Sequence, residues 1–403
     1  PAGSGKTTLA LHRAAYLMQS PETAEWFTSD KILILVQDMG TKEYFSHLLP
    51  ELGIRGVSII TFFGWASSVL DLDGYQSTDK LELTTTEQKL YEYAKLKALK
   101  NLPEIEYSNN VYNLLKNVYE NFLDDSQKIH LAWQKKNRAL DRFDLTVLLK
   151  SYLKTGKGLF IKKEMYYQLA NDSYRKKFFS LPANYNLMII DEFQNYLPEQ
   201  LAILKSCINK RLNSVIYVGD LAQQTRLGTI RSWADIEEKI NPERLVVLQK
   251  IYRNTKQILN YIKSLGYTVN IPSEIKEGKL VVELKMEEKI GEIEYIKNLL
   301  AGQINISIGV LALDKNYLNE FKECFGKDNR VYCLSMQEAQ GVEFDIVCLV
   351  GIQKNLFNYN NMPAEIINEV NKINRDLLYV ALTRAMAELH ILGVDKLADV
   401  LIG

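Results

Sequence analysis

The residues best suited to chemistry stand at the start of the chain. Pro1 to Thr7 reads P-A-G-S-G-K-T, a phosphate loop of the pattern G-x-x-x-x-G-K-[ST] that lacks only its first glycine. Gly3 and Gly5, with Ser4 between them, let backbone amides turn inward around a phosphate. Lys6 supplies a cation to the β- and γ-phosphates, and the Thr7 hydroxyl is placed to ligate magnesium. A helix running from Thr7 through Thr8 to about Met18 adds its N-terminal dipole. The absent glycine would precede Pro1, so the chain reads as starting inside a longer protein.

A second constellation follows the apolar run Leu187 to Ile190, which ends in Asp191 and Glu192. Asp191 at a strand tip can hold magnesium through water, and Glu192 can orient and deprotonate an attacking water. After the next apolar run, Ser214 to Val218, come Gly219, Asp220 and Gln223. That spacing brings the Gln223 amide to the same sheet edge, where it could sense a γ-phosphate. Two arginines lie further on, Arg253 beside Tyr252 and Arg384 in Leu382-Thr-Arg-Ala385. Guanidinium forks neutralise phosphate bidentately, so if both reach the nucleotide it sits between two α/β units. Gly341 permits a tight loop, and Glu343 could meet the ribose.

Such residues need a scaffold of parallel strands with helical crossovers, and the hydrophobic pattern supplies one. Strands are expected at Lys31–Val36, Val57–Ile60, Leu187–Ile190 and Ser214–Val218, with a helix around Thr41 to Leu52. A second α/β run offers strands at Leu245–Leu248, Val281–Val282, Ser307–Leu313, Ile346–Val350 and Leu389–Leu392. Between them, 81–180 reads as helical. The expected fold class is therefore α/β, with two parallel-sheet domains and an inserted helical lobe: 1–80 with 181–240, then 81–180, then 241–403.

Composition agrees with a folded multidomain chain of 403 residues, 47% apolar and 24% charged. No apolar stretch is long enough to span a membrane, and no secretory leader is visible. Cys207, Cys324, Cys333 and Cys348 are far apart, which argues against a disulfide framework or a zinc site and fits the cytoplasm. Charge balances at 49 basic against 49 acidic residues, so a polyanionic partner would be held by local patches.

Taken in order, these motifs resemble a superfamily 1 helicase motor of the UvrD/Rep/PcrA class. The resemblance implies two RecA-like domains with ATP and magnesium in the cleft, single-stranded DNA or RNA across the top, and 3′-to-5′ translocation. Lys6 and Thr7 match the first motif. Asp191, Glu192 and Gln194 match the second, and Gly219, Asp220 and Gln223 the third. Tyr252, which would stack on adenine, and Arg253 match the fourth. Gly341 and Glu343 match the fifth, and Arg384 the sixth. The segments Leu9–Leu17, Leu49–Gly53, Thr61–Trp65, Arg142–Leu145 and Gly219–Thr225 look closest to the helicase IV/HelD branch, some members of which bind RNA polymerase and release it from nucleic acid. Where the family usually has Asp, His and Lys, this chain has Asn195, Gln337 and Gln340; those positions concern coupling and strand contact more than hydrolysis.

The resemblance also implies nucleic-acid contacts at Phe62, Phe63 and Trp65, in the loop after the second strand, and at Trp233. Between Leu131 and Ser180 there are twelve Lys/Arg against four Asp/Glu, interleaved with Tyr152, Tyr166, Tyr167, Tyr174, Phe178 and Phe179. That stretch is either a stacking groove for a single strand or a solvated basic helical face whose rings point into a core. Three functions stay open: a strand translocase or helicase, an ATPase that remodels RNA polymerase or another nucleoprotein complex, and the motor subunit of a defence or nuclease assembly.

Overall fold

The computed structural model describes residues 5–78, 85–104, 107–168, 174–239, 241–248, 254–301, 306–354, 356–357 and 362–402. Two parallel sheets dominate. The first has the order Ser58–Thr61, Ile32–Val36, Leu187–Ile190, Ser214–Tyr217. Its two central strands are buried along their whole length, as continuous apolar runs in a doubly covered parallel sheet should be. Ile32, Ile34 and Val36 face a core built with Ala10, Leu11, Ala14 and Ala15 of helix Lys6–Gln19. Leu33 and Leu35 face the opposite core.

The second sheet has the order Val331–Ser335, Ile308–Ala312, Phe344–Ile352, Ala385–Gly393, Val282–Lys285, again all parallel. Four of these strands overlap expected ones; Val331–Ser335 was not foreseen. The expected strand Leu245–Leu248 is absent. That segment is irregular, with Leu245, Val246 and Val247 exposed, because no described strand pairs with it and β-branched propensity alone does not make a strand.

The region read as helical, 81–180, needs a correction. Thr85–Lys100, Val111–Tyr119, Asp125–Asn137 and Arg142–Lys154 are helices. Phe160–Gln168 and Tyr174–Pro182 instead form an antiparallel hairpin. Its cations and rings stand in adjacent pairs, such as Lys176-Lys177 and Phe178-Phe179, so no periodicity separates strand from helix there, and the antiparallel pairing of the two segments decides it. The helices are held by a buried ionic centre: Lys95 Nζ lies 2.6 Å from Asp141 Oδ2 and 2.8 Å from Asp144 Oδ1. Asp141 also caps helix Arg142–Lys154, its side chain accepting the Phe143 and Asp144 amides.

One helix, Ala364–Leu382, ties the second sheet to the first. Its Asp376 accepts the Gln224 N–H at 3.0 Å, its Glu369 the Gly228 N–H at 2.6 Å, and its Asn374 the Lys89 ammonium at 2.6 Å. No described helix is long and apolar enough to cross a membrane, and no described cluster of three His, Cys, Asp or Glu could hold a metal ion.

Candidate active site

Three expected motifs meet at the carboxyl ends of the first sheet, where open α/β sheets hold their ligands. Gly5 precedes helix Lys6–Gln19 with φ +76°, a left-handed conformation that a side chain would strain. Lys6 and Thr7 are half-buried in the first turn, and Thr8 is exposed. The Thr7 hydroxyl donates to Asp191 Oδ1 at 2.9 Å, across 184 positions of sequence. Burial first, and then the neighbouring Glu192, push the Asp191 carboxyl up to about 7, against the Thr7 hydrogen bond and the Lys6 charge. Lys6 acts on Asp220 as well.

Glu192 stands just beyond the strand at φ +48°, a backbone state that non-glycine residues rarely adopt. Gln194 links it to the third motif: its Nε2 donates to Glu192 Oε2 at 2.6 Å, and its Oε1 accepts the Asp220 N–H at 3.1 Å. Gln223, buried, donates to Asp220 Oδ2 at 2.8 Å. Four expected residues from two motifs, Glu192, Gln194, Asp220 and Gln223, thus form one hydrogen-bonded unit beside the Thr7–Asp191 pair.

In the second lobe, the part of the chain built on the second sheet, Arg384 is buried. Its Nε donates to the Val380 carbonyl at 3.0 Å and its Nη1 to the Val342 carbonyl at 3.3 Å, next to half-buried Glu343. The Tyr379 phenol stands near groups of both motifs, Asp220 and Arg384. Burial raises it to about 12, Asp220 adds to the rise and Arg384 opposes it. Tyr252 and Arg253 lie outside the described residues, as do Gly3 and Ser4. The residue after Arg253 is informative: Asn254 Nδ2 donates to the Thr383 carbonyl at 3.0 Å and the Ala385 carbonyl at 2.7 Å, clamping the backbone on both sides of Arg384. Sequence reasoning passed over Asn254, although its place directly after Arg253 was the available signal.

Gln340 and Asn195 both depart from the residues usual in the family pattern. They touch: Asn195 Nδ2 donates to Gln340 Oε1 at 3.0 Å, and Gln340 Nε2 donates to Glu192 Oε2 at 3.2 Å.

The aromatic residues expected to meet nucleic acid divide. Trp65 is 1% exposed and Phe62 is 9% exposed. Both pack in the core beneath the first sheet, with Phe62 edge-on to Tyr196, so neither offers a free ring face for a base. The reason is helical: Phe62–Leu70 is a short amphipathic helix whose 62, 65, 66 and 69 positions share its buried stripe. Phe63 is half-buried. Trp233 is also half-buried and stacks on Phe193 at 4.9 Å, beside Glu192 in sequence. On the hairpin, Arg175, Lys176 and Lys177 are exposed, and Phe178 is 65% exposed.

The description "UvrD-like helicase C-terminal domain" matches residues 105–395, well over half of the chain. No curated protein matches. Among solved structures, the PRRSV helicase aligns at 15% identity and TM-score 0.31, over 52% of this chain and 35% of that one. The chain therefore spans about a third of that helicase. The C-terminal domain of a possible DNA helicase from Lactobacillus plantarum WCFS1 aligns at 21% identity and TM-score 0.28, over 37% of this chain and 91% of that one. With Asp191, Glu192, Gln194, Gln223, Glu343 and Arg384 all inside the matched span, the chain belongs to the UvrD-like helicase C-terminal domain family.

Proposed function

We propose that the chain is an ATP-driven motor that moves 3′-to-5′ on a single strand of DNA or RNA, with ATP held between two RecA-like lobes. The observation that carries this reading is the Thr7–Asp191 contact at 2.9 Å, which joins a phosphate-loop hydroxyl to a strand-tip carboxylate beside Glu192. A hydroxyl and a strand-tip carboxylate are oxygen donors of the kind a hard divalent cation takes, so these residues fit magnesium. When bound, magnesium neutralises charge on the phosphate oxygens. Lys6 and the Gly5 backbone bind the phosphates, Glu192 takes a proton from water, and Gln194 fixes the direction in which that carboxylate points. Gln223 and Asp220 carry the state of this edge towards the second lobe. Arg384, with Arg253, supplies guanidinium charge from that side, so hydrolysis alters how the lobes are held.

Half-buried Phe63 and Trp233 and the exposed cations of the hairpin are the contacts we assign to the strand. ATP hydrolysis by the wild-type chain and by Lys6→Ala, with and without single-stranded DNA, tests the reading. Strand-stimulated turnover that Lys6→Ala abolishes is expected. A rate indifferent to single strands but raised by RNA polymerase would favour a remodelling ATPase instead.

A further inference from the structure

Glu192 is reached from the second lobe through the side chain of Gln340, in the loop between Val331–Ser335 and Phe344–Ile352. Gln340 Nε2 donates to Glu192 Oε2 at 3.2 Å, while its Oε1 accepts from Asn195 Nδ2 at 3.0 Å and from Thr225 Oγ1 at 3.1 Å. One backbone group sets the direction of this chain of bonds. The Thr225 N–H can only donate, and it lies 3.3 Å from Asn195 Oδ1. Oδ1 must therefore face Thr225, which leaves Asn195 Nδ2 for Gln340. Gln340 must answer with its oxygen, and only then does its own N–H point at Glu192. The same Glu192 oxygen already accepts Gln194 at 2.6 Å, so it is held tightly from its own lobe and loosely from the other.

We infer that Gln340 is a positioning residue, a neutral latch that restrains Glu192 and ties its freedom to the spacing of the lobes. The inference rests on the reading of Glu192 as the hydrolytic base. Two donors on one carboxylate oxygen draw density from the atom that would take the proton from water. Removing Gln340 relieves that load and leaves Gln194 to aim the carboxylate. At 3.2 Å the contact is near its limit, so a lobe displacement of about 0.5 Å opens it. Asn195 is essential to the polarity. An aspartate there has only acceptors, so Gln340 would turn its N–H towards 195 and present oxygen to Glu192.

The test compares wild type, Gln340→Met and Asn195→Asp in the full chain, with Lys6→Ala as control. Three quantities are read: turnover at saturating ATP without nucleic acid, affinity for a fluorescent ATP analogue, and the stimulation given by oligo-dT. Gln340→Met, which keeps length and loses the donor, should raise strand-free turnover roughly three- to tenfold, the range of an ordinary hydrogen bond, because at 3.2 Å this contact is too long to reach the full strength of one to a charged group. Affinity should stay within about twofold, because Lys6 and Thr7 are untouched. Stimulation by oligo-dT should fall by the factor that basal turnover gains. Asn195→Asp should behave alike, and because it buries a charge its melting temperature is followed in parallel. Strand-free turnover at the wild-type level in Gln340→Met, or turnover and affinity lost together, would overturn the latch while leaving the ATPase standing. A wild-type chain that hydrolyses no ATP, or a Lys6→Ala variant that hydrolyses it normally, would remove the base on which the latch acts, and the latch with it.

Discussion

Gly219 has almost no space for a side chain. A Cβ there would stand 2.1 Å from Gln194 Oε1 and 2.8 Å from Phe193 Cδ1. Phe193 is buried and stacked on Trp233, so Gln194 is the group that must yield. Moving it breaks its acceptance of the Asp220 N–H at 3.1 Å and its donation to Glu192 at 2.6 Å. The first loss costs about 1–3 kcal/mol of stability, the penalty for stranding a part-buried amide. The second removes a hydrogen bond to a charged group, about 1.5–3 kcal/mol, or roughly 10- to 150-fold in rate if it aims the base in the transition state. Gly219→Ala should therefore lower the urea midpoint and slow single-turnover ATP hydrolysis by that factor, with nucleotide affinity nearly unchanged. Stopped-flow binding and quenched-flow hydrolysis on the same preparation separate the two. A variant with wild-type hydrolysis and an unshifted urea midpoint would refute the claim that Gln194 fixes Glu192.

Three further outcomes are expected. Trp65→Ala should cost about 3–5 kcal/mol of folding stability, because the ring is core; a folded variant that instead loses strand affinity would contradict the burial. Reversing charge at Arg175 and Lys177 should leave strand-free ATPase intact and flatten the salt dependence of single-strand binding by a slope of roughly two; an unchanged slope would exclude the hairpin as a contact. Burial raises the Glu292 carboxyl from its ordinary 4.5 to about 7, so the folded state binds the extra proton and stability declines as pH rises through that window. Glu292→Gln still accepts the Gly351 N–H and should remove that decline, gaining about 2–3 kcal/mol at pH 8 relative to pH 4 in urea titrations; parallel pH profiles for the two proteins would count against it.

How much of this was legible in the sequence depended on the range of the signal. Buried parallel strands announce themselves as short apolar runs, and Ile32–Val36, Leu187–Ile190 and Ile308–Ala312 lay where those runs placed them. Chemistry at strand tips was legible for the same reason: Asp191 and Glu192 follow an apolar run directly, and Thr7 opens a helix. Leu245–Leu248 has strand composition but no described neighbour to pair with, and pairing is a tertiary property. The hairpin at Phe160–Gln168 and Tyr174–Pro182 is hidden because its lysines and rings fall in adjacent pairs rather than alternating, so no period-two signal marks either strand and only their mutual pairing does. Trp65 was assigned by resemblance to a contact loop, whereas the spacing of 62, 65, 66 and 69 already put it on a buried helical stripe. The Asn195–Gln340 contact joins positions 145 residues apart, and nothing local in either segment points to the other.

The central claim is that ATP is gripped from both lobes, by Lys6, Thr7 and the acids on one and by arginine on the other. Arg384→Ala, with urea midpoint and ATP-analogue affinity measured beside single-turnover hydrolysis, addresses it most directly. The account predicts affinity within a few-fold of wild type and hydrolysis slowed by roughly a thousandfold or more, the scale of a guanidinium acting on the transferring phosphoryl group. A folded Arg384→Ala protein that hydrolyses ATP at the wild-type rate would contradict it.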